Sequence, residues 1–168
     1  MLPVVGAGYP ISWCLTYLVY LLQPYHNNVI KRAVKTPKLY FLDTGLAAYL
    51  TRWNTPEVLQ HGAMAGAFFE SFVVSEILKG YANSGILEPP LYFYRDKERN
   101  EIDLLIQRDQ TLHPIEIKKS ADPRQTDIKA FDALDKSGVL RGSGGLICMY
   151  ERPAPLLGED MVMPLAYV

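Results

Sequence analysis

Apolar and polar residues alternate twice in quick succession between Asn100 and Ser120. They do so first over residues 101–106 and again over 115–119, with the polar Gln107-Arg108-Asp109-Gln110 between. This pattern predicts a β-hairpin with one apolar and one charged face. Asp103, Glu116 and Lys118 fall on the charged face. A hairpin symmetric about Asp109-Gln110 sets Asp103 opposite Glu116, with Cβ atoms about 5 Å apart, and like charges so placed repel. A cation between them, with Lys118 nearby, is the economical solution, and a divalent metal suits it.

Helical spacing is strongest from Gly66 to Lys79, with Gly80 as the expected C-cap. Phe69, Phe72, Val73 and Ile77 form its apolar stripe, and Glu70 falls inside or along the edge of that face. A carboxylate there costs several kcal/mol unless it is paired, caps a backbone group or binds a metal. Upstream, residues 17–22 and 38–42 read as strands around the turn-forming Pro24–Asn28. Asp43-Thr44-Gly45 opens a short helix, and residues 51–62 read as irregular. That stretch divides an N-terminal segment, 1–60, from a core, 61–168. In the core, residues 91–95 are a strand dense in aromatics. Asp122-Pro123 caps a helix whose buried face is Ile128, Ala130, Phe131 and Leu134. The last strands are 146–150 and 161–166, joined by a loop. From Gly66 onward the order is helix, three strands, helix, strand.

The chain has 168 residues, 49% of them hydrophobic and 21% charged. That is enough for one domain with a core and a small appendage. The net charge of −1 offers no global case for nucleic acid. The only basic cluster, Lys31, Arg32, Lys35 and Lys38, reads either as a wing touching phosphate or as a solvated loop. Cys14 and Cys148 have no partner spacing, which argues against a disulfide framework and fits a reducing cytosol. No Asp, Glu, Lys or Arg precedes Lys31. The apolar run Trp13–Leu22 is nevertheless about half the length of a spanning helix and lacks a basic leader, so no membrane segment is expected. Association with a membrane surface through residues 1–22 is the remaining alternative. The abrupt apolar start also suits a piece of a longer chain.

Singly these residues mean little, but a helix carboxylate, a strand Asp and an E-x-K can meet at one end of a small sheet. Three oxygen ligands of this kind suit Mg²⁺ or Mn²⁺ better than zinc. The element order, with Asp103, twelve intervening residues, and then Glu116-Ile117-Lys118, resembles the PD-(D/E)xK nuclease superfamily. Several segments resemble the C-terminal domain, of uncharacterised function, of prokaryotic AAA-type ATPases: K-T-P-K-L-Y-F-L-D-T-G-L-A-A-Y-L, F-F-E-S-F-V-V-S-E, Y-F-Y-R-D, E-I-D-L-L-I and P-I-E-I-K-K-S. Together they cover roughly residues 17–149.

The resemblance implies an α/β, restriction endonuclease-like αβββαβ core with a mixed sheet. A partial winged-helix-like hairpin and short helix would precede it, with the hairpin carrying the basic cluster. It further implies that Asp103, Glu116 and Glu70 hold Mg²⁺ or Mn²⁺ and that Lys118 acts on the attacking water or the developing charge. Lys119 would face away. The activity implied is phosphodiester hydrolysis, on DNA in the first instance, in a cytoplasmic protein partnered by an ATPase portion. The alternative is a DNA- or protein-binding regulatory module that cuts nothing. Ile102 stands where the superfamily has proline. No G-x-x-x-x-G-K-[ST] loop occurs, so no nucleotide cofactor is expected.

Overall fold

The computed structural model describes residues 4–5, 9–10, 17–25, 36–53, 55–96, 98 and 100–168. Two short strands, β1 (Val4–Val5) and β2 (Tyr9–Pro10), pair with each other. All the other described strands join one mixed sheet of nine. Its centre is the hairpin of β6 (Glu101–Arg108) and β7 (Thr111–Lys118). The turn is the two residues Asp109 and Gln110, with Asp109 at a φ of 54°, a left-handed conformation that Asp tolerates better than most residues. Leu104 pairs with Ile115 and Arg108 with Thr111, so β6 runs two residues, and β7 four, further into the turn than expected while the register is the symmetric one.

On one side of this hairpin lies β5 (Leu91–Arg95), antiparallel to β6. Beyond it comes β3 (Val19–Pro24), parallel to β5, and then β4 (Lys38–Phe41) at the sheet's edge. On the other side, β9 (Gly145–Cys148) runs parallel to β7, followed by β11 (Asp160–Pro164) and β10 (Ala154–Leu157). The short β8 (Leu140–Arg141) also pairs with β7. Residues 154–157, expected within a loop, therefore form an edge strand, and Pro155 is tolerated there because an edge need not donate on both sides.

Helices cover both faces of the sheet. The main one is α3 (Ala65–Asn83), preceded by α1 (Thr44–Leu50) and α2 (Pro56–His61). Asp43 caps α1, accepting the Leu46 N–H at 2.9 Å. The stretch expected to be irregular contains α2, because Thr55 accepts the Val58 N–H and Pro56 fits the first helical position. Gly80 does not end α3. The helix runs on to a left-handed Gly85 (φ 80°), where Gly85 N–H donates to Ala82 O and Ile86 N–H to Tyr81 O, both at 2.9 Å. The opposite face carries a 3-10 helix, Gln125–Phe131, running into α4 (Asp132–Asp135). It starts later than Asp122-Pro123 suggested. Arg124 is still extended, and the Asp127 carboxylate accepts the Arg124 N–H at 2.8 Å.

Two apolar clusters result. Val73 and Val74 of α3 pack on Leu22, Phe93, Leu104, Ile115 and Ile117. Ile128, Phe131 and Leu134 pack on Ile102, Leu105, Leu112 and Leu146. The central hairpin is thus buried on both faces, which corrects the expected apolar-in, charged-out pattern, and its carboxylates are confined to the strand ends. A β-bulge contributes to this placement. Tyr92 pairs with Leu105 but Tyr94 with Ile102, so two residues of β6, Asp103 and Leu104, oppose the single Phe93. Among the described residues no helix is long and apolar enough to cross a membrane.

Gly80 sits in the last turns of α3 with open space where a Cβ would be. Gly80→Ala is expected to stabilise the fold by about 0.5–1 kcal/mol, since alanine loses less backbone entropy in a helix. A higher urea midpoint at unchanged m-value would show it, and an unchanged or lower midpoint would refute it.

Candidate metal and phosphodiester site

At one end of the sheet, polar side chains from α3, β4, β6 and β7 converge. The hairpin pairing ends at Leu104 with Ile115, and Asp103 and Glu116 are the next residue on each strand beyond that pair. Their side chains are only 12% and 7% exposed. Asp103 is held in the sheet itself: its Oδ2 accepts the Ile117 N–H at 3.0 Å, so a carboxylate replaces the carbonyl that would have continued the ladder.

Glu116 and Lys118 share a face of β7, two residues apart, and Lys118 Nζ lies 2.6 Å from Glu116 Oε1. The second oxygen, Glu116 Oε2, is buried with no hydrogen-bond partner among the described residues. A buried unpartnered carboxylate oxygen is costly. Burial, and then the neighbouring Asp103 charge, push Glu116 up to about 7, although Lys118 opposes the shift. Burial and the charge of Glu70 likewise raise Asp103, against the pull of Lys38 and the Ile117 N–H. Burial alone would depress the Lys118 ammonium, but Glu116 and Asp103 hold it above its ordinary value, so it remains charged.

Glu70 reaches the same end from α3, and its company is different. Tyr40 Oη donates to Glu70 Oε1 at 2.5 Å, and Lys38 Nζ lies 3.2 Å from the same oxygen. Burial, and then the adjacent Glu70 carboxylate, push the Tyr40 hydroxyl far up, which keeps it a donor. Lys38 Nζ also reaches Glu101 Oε1 at 2.5 Å and Asp103 Oδ1 at 3.5 Å. Glu101 in turn holds Arg95 at 2.6 Å. Burial would raise Glu101, but Lys38 and Arg95 outweigh it and draw its carboxyl down. The structure therefore brings Asp103, Glu116 and Lys118 together and links Glu70 to them through Lys38. Among the described residues it does not assemble three carboxylates into a ready metal shell.

Lys38, expected both in the basic cluster and at the start of the strand 38–42, does open β4, but its ammonium lies among carboxylates. Lys31, Arg32 and Lys35 lie outside the described residues, as does Cys14, while Cys148 is a buried free thiol. Lys119 turns away from the site, donating to the Gln60 carbonyl at 2.6 Å. Tyr40 and Glu101 are additions that the sequence reading missed. Their signal was present in period-two spacing: K-L-Y puts Lys38 and Tyr40 on one face, and E-I-D brings Glu101 to the same strand end as Asp103.

A cleft of about 890 Å³ opens beside Asp103, Glu116 and Lys118, bordered on its far side by the 3-10 helix and α4. Its charged lining is mostly carboxylate, with Lys118, Lys129 and Lys136 as the cations. An acid-rich cleft of this kind attracts cations and repels an unaccompanied polyanion.

Because its folded value lies above the ordinary carboxylate value, Glu116 destabilises the fold progressively as pH rises from about 4.5 to about 7, on the order of a few kcal/mol in all. Glu116→Gln should remove much of that slope. Urea unfolding at intervals across this range would show a flatter stability profile for the variant, and parallel profiles would contradict the assignment.

A profile described as a domain of unknown function (DUF4143) matches residues 65–168. A second domain of unknown function (DUF8612) matches residues 13–57. Two curated relatives are uncharacterized proteins, Rv2008c of Mycobacterium tuberculosis and Mb2031c of Mycobacterium bovis. Each is 31% identical over 103 residues, which is 61% of this chain and 22% of the relative. No solved structure matches the chain. Glu70, Asp103, Glu116 and Lys118 fall in the first matched region, and Lys38 and Tyr40 in the second.

Proposed function

The chain belongs to the DUF4143 family, and from that premise we propose that it is a metal-dependent, nuclease-like domain that hydrolyses phosphodiesters, with DNA as the first candidate substrate. The observation that carries this reading is Glu116 Oε2, a buried oxygen without a partner among the described residues, at the same hairpin end as Asp103 and beside the Lys118 ammonium. A hard divalent cation fits that donor set, since two adjacent carboxylates supply oxygen ligands and the cation would relieve their repulsion. Asp103 and Glu116 would hold Mg²⁺ or Mn²⁺, and Glu70 would orient the shell from the α3 side. When bound, the ion would contribute Lewis acidity and neutralise charge on the phosphate.

The chain's own groups have distinct tasks in this reading. Lys118, held protonated, pairs with negative charge developing on the phosphoryl oxygens and does not act as a base. Glu116 is partly protonated near pH 7, so cation binding releases a proton from it. Lys129 and Lys136 line the same cleft and in this reading would meet flanking phosphates. The mixed sheet, with α3 on one face and the 3-10 helix on the other, is the coarse arrangement on which the restriction endonuclease-like reading rests.

A second reading also has an observation behind it. The Lys38 ammonium already neutralises Glu70, Glu101 and Asp103, and the described residues hold no preassembled three-carboxylate shell. A module with its acidic end compensated internally would bind DNA or a protein, including an ATPase portion of a longer chain, without cutting. Calorimetric titration with Mn²⁺ and incubation with supercoiled plasmid separate the two. The nuclease reading expects binding that is lost in Asp103→Ala and nicking that falls at least tenfold in Lys118→Ala. A protein that binds no Mn²⁺ and leaves the plasmid intact sinks it.

A further inference from the structure

The four carboxylates at this end of the sheet, Glu70, Glu101, Asp103 and Glu116, face three cations, Lys38, Arg95 and Lys118. Lys38 is the most central of the three. Its side chain is 14% exposed, and its Nζ meets one oxygen from each of Glu101, Glu70 and Asp103 at 2.5, 3.2 and 3.5 Å. An ammonium has three N–H donors, and here three acceptors converge on it. Two residues along the strand, Tyr40 fixes the orientation of Glu70. Both side chains are delivered by β4, whose register with β3 pairs Lys38 with Leu22 and Tyr40 with Tyr20, and β3 is in turn hydrogen-bonded to β5.

We propose that Lys38 is a fixed internal cation, occupying the position that a second divalent ion would otherwise take, so that the site accepts one exchangeable ion and no more. The inference rests on the metal reading above for that first ion. Its consequence is that the region around residues 13–57 is not an accessory to residues 65–168. The two regions matched by separate profiles build one site, with the acids on one and the compensating cation on the other. Lys38 is a positioning residue, acting through Glu70 and Asp103.

The ammonium meets its three acceptors at 2.5 to 3.5 Å, a spread that N–H donors tolerate. Removing the ammonium would leave three carboxylates with a shared void, which a divalent ion would enter.

The test is calorimetric titration of the whole chain with Mn²⁺ alone, accompanied by thermal denaturation with and without the ion. Wild type should bind one equivalent, Lys38→Met two, and Lys38→Arg one, because arginine keeps the charge. Mn²⁺ should raise the melting temperature of Lys38→Met more than that of wild type. If Lys38→Met binds a single equivalent as wild type does, the Lys38 assignment is wrong while the metal reading stands. If wild type binds none and Lys38→Met binds one, the assignment stands and the metal reading falls. If neither binds, both fall. Should Lys38→Met fail to fold, the double variant Lys38→Met/Glu101→Gln, with one fewer charge to compensate, takes its place and is expected to bind the added ion through Glu70 and Asp103. Should both variants be unfolded, recovery of the folded state on adding Mn²⁺ supports the proposal, and failure to recover overturns it.

Discussion

Two carboxylates buried face to face across the central hairpin set the terms for everything around them. The two-residue turn sets a register that brings Asp103 and Glu116 to the same end of the hairpin, just beyond the Leu104–Ile115 pair, and they are buried because β6 and β7 are covered on both sides. Neither position is negotiable without moving the core. The charges must therefore be answered locally, and the answers come from every direction: a backbone N–H from Ile117, an ammonium from Lys118 and a second ammonium from Lys38. One oxygen is left without an answer. Buried ion pairs of this sort add little to stability by themselves, whereas removing one partner leaves a costly uncompensated charge.

The compensation has an order to it. Lys118 is local, two residues from its partner on the same strand. Glu70 and Lys38 are not local, and each is fixed before it meets Asp103: Glu70 by the Tyr40 hydroxyl, Lys38 by Glu101, and Glu101 by Arg95. The polar end of the sheet is a connected network, in which displacing one member leaves charges exposed to their neighbours. The cleft beside it is rich in carboxylates, so whatever enters must bring or follow positive charge.

Much of this was legible in the sequence because period-two alternation and turn chemistry are local signals. The register of the hairpin, the strand over residues 91–95 and the inward lean of Glu70 all followed from spacing. Some local signals were read wrongly. Gly80 has the residue type of a helix terminator, but the stop is Gly85, where the closing hydrogen bonds can form. Thr55-Pro56 was a helix start hidden by the prolyl residue's reputation as a breaker. What the chain could not reveal by inspection was Lys38. Its neighbours in sequence are basic, and only the parallel pairing of β3 with β5 carries it across to the acids. Pairings between distant segments leave no periodic trace in either segment. The double-sided burial of the hairpin was lost for the same reason, since alternation reports one strand's faces and not what later elements lay over them.

That parallel pairing also governs when the polar end of the sheet comes together. The hairpin closes over a two-residue turn, on the microsecond scale of such structures. Lys38 must close a loop 65 residues long to reach Asp103, which costs about 4 kcal/mol of chain entropy before any contact repays it. Local pairings form ahead of distant ones, so the two acids meet first and the lysine arrives afterwards. Until it does, Glu116 has its local Lys118, but Asp103, Glu70 and Glu101 lack the ammonium that they share. Docking of β3 and β4 on β5 therefore completes that side of the sheet and brings Lys38 to its acidic end in a single event.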